Sequence, residues 1–229
     1  MSKRKTKRQA QKLYNNLKEI SNISEETKIT SEINSCSEIV IGLSNTLISN
    51  TNVKQELTKM KKFRFQLLHQ WIIENFNPCR VADIGGGKGL LTYLLQKSGW
   101  EATVIDPVHQ PLPNKYKDIV TNKQTRITSA EFVPHIDQEF NLEMAQKFDL
   151  LVGMHAHGCN VKIIDAAKKF GRGFILMPCC IIDEPLYPES GVHWLECLAE
   201  YAVKKGFVLH TFRLNFRGQN IGLYAEGMK

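Results

Sequence analysis

The segment Val81-Ala82-Asp83-Ile84-Gly85-Gly86-Gly87-Lys88-Gly89-Leu90-Leu91 sets a carboxylate two residues before a run of glycines. Glycine lets a backbone turn sharply and approach a ligand with no Cβ in the way. The amides that open a helix suit a polar or anionic group. A phosphate-cradling loop needs Gly-x-x-x-x-Gly-Lys followed by Ser or Thr, and the segment lacks that spacing. The dinucleotide fingerprint Gly-x-Gly-x-x-Gly also fails, because from Gly85 and Gly87 its third position falls on Leu90. A second carboxylate, Asp106, follows 23 positions after Asp83, at the end of an apolar stretch. A carboxylate at the end of a second strand accepts both hydroxyls of a ribose, so an adenosine-containing ligand is expected, with Pro107 covering one face of its base.

Two further stretches carry reactive side chains. One is Met154-His155-Ala156-His157-Gly158-Cys159-Asn160, and the other Met177-Pro178-Cys179-Cys180-Ile181-Ile182-Asp183-Glu184. Histidine titrates near neutral pH, which makes His155 and His157 candidate bases. Cys179 and Cys180 are candidate nucleophiles. Imidazole and thiol donors also suit zinc, but the His-x-His-x-Cys and Cys-Cys spacing matches no zinc-finger signature, and no metal is expected.

Positioning these residues calls for alternating elements. Arg80–Ile84, Ala102–Ile105, Thr125–Thr128, Phe148–Gly153 and Gly173–Met177 read as short strands, and Leu90–Lys97, Val161–Phe170 and Val192–Lys205 as helices. A short helix is expected over Asn141–Gln146, and Phe207–Phe216 and Asn220–Ala225 read as two closing strands. This alternation predicts an α/β fold with a Rossmann-like, mostly parallel sheet covered on both faces. Such sheets bind ligands beyond the carboxyl ends of their strands. That edge receives both reactive stretches, so Met154, His155, His157, Cys179 and Cys180 are expected to flank the ligand. Leu57, Met60, Phe63, Leu67, Trp71 and Ile72 recur at helical spacing, which predicts an amphipathic helix over residues 53–76, with Phe63 and Trp71 in the core. The domain boundary is set at 53, giving a basic arm and linker over 1–52, helical or disordered, and a ligand-binding domain over 53–229.

The Asp-x-Gly-x-Gly-x-Gly pattern after the first strand resembles the first motif of the class I S-adenosylmethionine-dependent methyltransferases. The resemblance covers residues 53–226 and implies S-adenosyl-L-methionine as cofactor. It implies that Gly85 and Gly87 lie under the methionine part, that Gly89 belongs to the same cofactor-binding motif, and that Asp83 orders the loop and helps bind the cofactor's amino group. A carboxylate favours a cationic amine and sulfonium and repels a pyrophosphate. The loop Ser129-Ala130-Glu131-Phe132 resembles the family's adenine-contacting loop, which assigns Ala130 and Glu131 to the cofactor. The closing strands resemble the family's reversed final hairpin. Enzymes that methylate C5 of cytosine carry a cysteine after the fifth strand, where Cys179 and Cys180 stand, but their Asp-Ala-Pro-Cys run is missing. The His-x-x-Gly loop and Cys-Cys pair are also similar to a group that includes acceptor-stem tRNA 2′-O-methyltransferases. Methyl transfer to RNA, either tRNA or rRNA, is thus the implied activity. A small-molecule methyltransferase and a non-catalytic partner subunit remain as alternatives.

Charge agrees with a nucleic-acid partner. Seven of the 30 basic residues precede the first acid, Glu19, and those left balance the 23 acidic ones. The net charge of +7 therefore sits in the head, so residues 3–18, with the basic positions of 54–64, are expected to contact an RNA backbone. No window of eighteen apolar residues predicts a membrane span. The head lacks the apolar run of a secretory signal, and the six cysteines form no regular framework. A reducing, cytoplasmic setting is expected.

Overall fold

The computed structural model describes residues 3–33 and 61–227. The helix expected around Ser37–Ile48, residues 53–60 of the helix expected over 53–76, and Lys54 and Lys59 lie outside the described residues, as do the side chains of Lys3, Arg4, Lys5, Lys7 and Lys61.

In chain order the elements are α1 (Lys3–Ile33), α2 (Arg64–Asn75), β1 (Arg80–Ile84), α3 (Leu90–Lys97), β2 (Glu101–Ile105), β3 (Lys115–Lys117), β4 (Gln124–Arg126), β5 (His135–Ile136), β6 (Leu150–Met154), α4 (Asn160–Phe170), β7 (Gly173–Met177), α5 (Trp194–Lys204), β8 (His210–Arg213) and β9 (Ile221–Ala225). Short 3₁₀ turns, Lys61–Phe63 and Leu142–Lys147, precede α2 and β6. Seven strands form one sheet in the order β5-β2-β1-β6-β7-β9-β8. The first five in that order run parallel. Strand β9 is antiparallel to β7, and β8 antiparallel to β9.

Side chains of a strand point alternately to opposite faces, and this sorts the core. Ala82, Ile84, Leu151, Phe174 and Leu176 face α4, α5 and Leu17 of α1. Val81, Leu150, Val152 and Ile175 face α2 and α3 through Leu68, Ile72, Leu91 and Leu95. Phe63 is buried, and Trp71 stacks on Phe212 with ring centroids 3.9 Å apart, so both belong to the packed interior as the periodicity predicts.

Of the two possibilities for the basic head, the structure has the helix, and it is docked on the domain. Leu13, Tyr14, Leu17 and Ile20 form one apolar stripe against the α5 side of the sheet, with Leu17 fully buried. The Asn16 amide donates to Glu196 at 2.7 Å, and the Leu209 amide donates to Ser24 Oγ at 3.0 Å. Burying a leucine stabilises by about 1.5–3 kcal/mol, so α1 contributes to the fold while its exposed face carries Arg8, Lys12 and Lys18.

The third strand of the parallel sheet is not where the sequence placed it. Gln124–Arg126 pairs with Lys115–Lys117 in a separate hairpin. Buried Gln66 of α2 fixes that hairpin by donating to Lys117 O and accepting from Ile119 N, each at 2.8 Å. The edge beside β2 is instead His135–Ile136, in register with Val104 and Ile105. A two-residue strand after Pro134 has no periodicity to read.

Candidate active site

Strands β1 and β6 are neighbours, while β2 lies on one side of them and β7 on the other. The chain crosses over in opposite directions from this point, and a crevice opens above the strand ends. The glycine loop leaves β1 there, and the Gly85 amide donates to Ile105 O at 2.8 Å, extending the β1–β2 ladder into the loop. Gly85 has φ +66°, and a Cβ on it would lie 3.1 Å from that of Ala156. A Cβ on Gly86 would lie 2.7 Å from the carboxyl carbon of Asp83. The loop therefore folds directly over the Asp83 side chain, and any larger residue at Gly86 would collide with it.

Asp83 is 2% exposed, and Thr92 Oγ1 donates to its Oδ2 at 2.8 Å. Burial raises its pKa to about 6, against the opposing effect of the Thr92 bonds. It lies directly beneath the glycine loop. Asp106 stands at the rim, where its Oδ2 accepts from the Gly87 amide at 3.0 Å and its Oδ1 from the Val108 amide at 2.9 Å. Two backbone donors fix this carboxylate at the end of β2 and leave lone pairs for a ligand's hydroxyls.

Two clefts meet above these residues. One, of about 490 Å³, has walls that include Asp106, Pro107, Glu139, Phe140, His157 and Asp183. The other, of about 390 Å³, is bounded by residues 85–88, Arg64, Phe65, Pro113 and Met154. Gly85 and His155 border both. Met154 pairs with Met177 across β6 and β7, and the His155 amide donates to Met177 O at 3.1 Å, so the two reactive loops leave the sheet side by side. They remain joined further out, where the Gly158 amide donates to Ile182 O at 3.1 Å.

Glu184 locks the second loop onto α4. Its buried carboxylate accepts from the amide and side chain of Asn160 at 2.8 and 2.6 Å, and from the Val161 amide at 3.1 Å. An anion at a helix N-terminus meets unpaired amides and the positive end of the dipole. This residue has no sequence signature, because the contact joins positions 24 apart. Farther along the first loop, His157 Nε2 lies 3.0 Å from Cys179 Sγ, and Cys179 Sγ lies 3.5 Å from Cys180 Sγ. Burial pushes the Cys159 thiol up, which disfavours its thiolate.

Of the expected site residues, Gly85, Gly87, Asp106, Pro107, Met154, His155 and His157 converge on the two clefts, with Asp83 beneath them. Gly89 does not. It opens α3 with φ +70°, and a Cβ on it would meet Val133 and Val104 at 2.7 and 3.0 Å, so it serves close packing. Ala130 and Glu131 are displaced because they follow the separate hairpin and not β5. Glu131 accepts from Tyr93 Oη at 3.0 Å and pairs with Lys97 at 2.5 Å, which holds its carboxyl well below the usual range. Glu139 and Phe140, just after β5, line the cleft that contains Asp106 and Pro107. Cys179 and Cys180 stand beside His157 and outside both sets of wall residues.

The strand order and the reversed β9 are those of the class I S-adenosylmethionine-dependent methyltransferase fold. Solved structures with a similar fold include the ribosomal protein L11 methylase of Lactobacillus delbrueckii subsp. bulgaricus, at 15% identity and TM-score 0.41 over 72% of this chain and 77% of that one. A SAM-dependent methyltransferase from Archaeoglobus fulgidus matches at 13% identity and TM-score 0.44, over 70% and 91% of the two chains. Within the curated proteins, a probable tRNA (uracil-O(2)-)-methyltransferase of Caenorhabditis elegans is 32% identical over 104 residues, 45% of this chain. The match spans 17% of that protein's length. No family model matches the chain.

Proposed function

We propose that this chain is an S-adenosylmethionine-dependent methyltransferase whose acceptor is an oxygen of RNA, with tRNA the favoured substrate. The observation that carries the reading is the junction at Gly85 and His155, where the cleft holding Asp106 opens onto the one holding the glycine loop and Met154. The residues present fit the cofactor. Asp106 is held by two backbone amides in position for ribose hydroxyls, the glycine loop leaves room for a close backbone approach, and no phosphate-binding pattern is present. When bound, S-adenosylmethionine supplies an electrophilic methyl carbon.

The protein's own task is mainly placement. Holding acceptor and methyl in line removes much of the entropic barrier of a bimolecular transfer. Met154 and Gly85 form the wall beneath the reacting atoms, and Glu184 keeps the acceptor-side loop in register. A hydroxyl acceptor must give up its proton when it is methylated. His155, at the junction, accepts that proton. Arg8, Lys12 and Lys18 on the exposed face of α1, with Arg64, Lys88 and Lys162 around the clefts, supply cations for an RNA backbone. The C. elegans similarity supports tRNA and an oxygen acceptor.

The test is incubation of the full chain with methyl-labelled S-adenosylmethionine and separate pools of tRNA, rRNA, protein and small metabolites. Nucleoside digestion of the RNA should return label in an O-methylated nucleoside. Label confined to protein or metabolites, or none in any pool, would overturn the assignment.

A further inference from the structure

We propose that His157, Cys179 and Cys180 form a three-donor site for a thiophilic divalent cation, with zinc the chemical fit. The imidazole comes from the loop after β6 and the two thiols from the loop after β7. His157 Nε2 lies 3.0 Å from Cys179 Sγ, the two sulfurs are 3.5 Å apart, and the three donor atoms all fall within 4.8 Å of one another. Bond lengths of about 2.0 Å to nitrogen and 2.3 Å to sulfur put the donors of a tetrahedral zinc site about 3.5 Å apart. The Cys179–Cys180 separation is that size, the His157–Cys179 approach is slightly shorter, and all three donors lie within reach of one ion.

The donor set selects the ion. Two sulfurs and an imidazole suit zinc and other borderline-soft metals, whereas magnesium and calcium require oxygen donors. The burial gradient also fits, since both cysteines are half-buried and His157 is exposed. An imidazole edge set on a pair of thiols is not how small apolar side chains fill a core, where cysteine behaves as a hydrophobe.

The donors are also held in advance of any ion. The two loops are tied by the Gly158 amide to Ile182 O at 3.1 Å, and a Cβ on Gly158 would lie 3.0 Å from that of Asp183. Glu184, four residues beyond Cys180, is anchored on α4 by three hydrogen bonds. A cation would thus join two loops that already lie in contact. Three protein ligands leave a tetrahedral ion one further position, and His157 borders the cleft that contains Asp106. Binding replaces the two thiol protons, which pass to solvent, so affinity rises with pH.

This site does not depend on the methyl-transfer reading, because metal is measured without cofactor or substrate. Full-length protein is stripped with a chelator under reducing conditions and titrated with cobalt(II), and zinc retained on purification is measured by elemental mass spectrometry. The expected result is about one ion per chain and a near-ultraviolet sulfur-to-cobalt charge-transfer absorption. Cys179→Ser, Cys180→Ser and His157→Ala should each weaken cobalt affinity at least tenfold, while Cys197→Ser on α5 leaves it unchanged. Circular dichroism and S-adenosylhomocysteine binding are recorded for each variant, so that a misfolded protein is recognised as such. Absence of the charge-transfer band in folded wild-type protein would overturn the proposal. So would a band of equal intensity in Cys179→Ser and Cys180→Ser, or a Cys179–Cys180 disulfide that persists under reductant.

Discussion

The backbone amide of Gly87 donates to Oδ2 of Asp106 at 3.0 Å, tying the glycine loop after β1 to the carboxylate at the end of β2. The two halves of the proposed cofactor seat are therefore one hydrogen-bonded unit. Asp106→Ala removes both the proposed acceptor of ribose hydroxyls and the partner of that amide. Loss of about 1–3 kcal/mol of S-adenosylhomocysteine affinity is expected, roughly 5- to 150-fold in Kd. Titration calorimetry on the folded variant measures it, and an unchanged Kd removes Asp106 from the site.

Buried Asp83 links stability to pH. Its folded pKa is raised to about 6 from 3.8, chiefly by burial. The folded state thus holds this proton more tightly than the unfolded chain. The contribution is fully present below about pH 4 and is lost as pH rises through about 6, amounting to at most about 3 kcal/mol. Asp83→Asn abolishes that loss. Urea unfolding across this range should show the variant gaining on the wild type as pH rises, and a constant difference would contradict the assignment.

Glu184 acts as a clamp. Glu184→Ala strips the N-terminus of α4 of a buried carboxylate that accepts three hydrogen bonds. A loss of at least about 1–3 kcal/mol in unfolding free energy is expected. Hydrogen exchange should accelerate at the Asn160 and Val161 amides and in residues 177–184. Unchanged protection there would show that the two loops are held by other contacts.

The docking of α1 changes how its charge can be tested. Deleting residues 1–20 would remove Leu17, and Leu17→Ala alone should cost about 2–5 kcal/mol. Charge is better probed with Arg8→Gln, Lys12→Gln and Lys18→Gln combined, all on exposed positions. This triple variant should keep its unfolding midpoint while tRNA affinity falls and the slope of log affinity against log salt flattens by up to about 3. An identical salt slope would place the RNA elsewhere.

The central parallel strands were readable because strands buried on both faces are continuous apolar runs, as in Val81–Ile84 and Leu150–Val152. The glycine loop and Asp106 were readable because short-range spacing alone defines them. Strand β5 was not, since two residues after a proline carry no pattern, so nothing in the sequence marked Glu139 and Phe140 as lining the cleft that contains Asp106. The docked face of α1 is legible in the helical spacing of Leu13, Tyr14, Leu17 and Ile20, which lie among cations. The Glu184 clamp and the His157–Cys179 approach arise only when β6 and β7 pair, and nothing local in the sequence announces them.

The central claim is that Asp83, Gly85, Gly87 and Asp106 build a seat for a sulfonium nucleoside and not for a phosphate chain. Calorimetric titration of the full chain with S-adenosylmethionine, S-adenosylhomocysteine, NAD and ATP tests it most directly. Saturable binding of the first two, lost on Asp106→Ala, with no uptake of the others, is the predicted result. Tight binding of NAD or ATP, with no heat from either sulfur nucleoside, would contradict it.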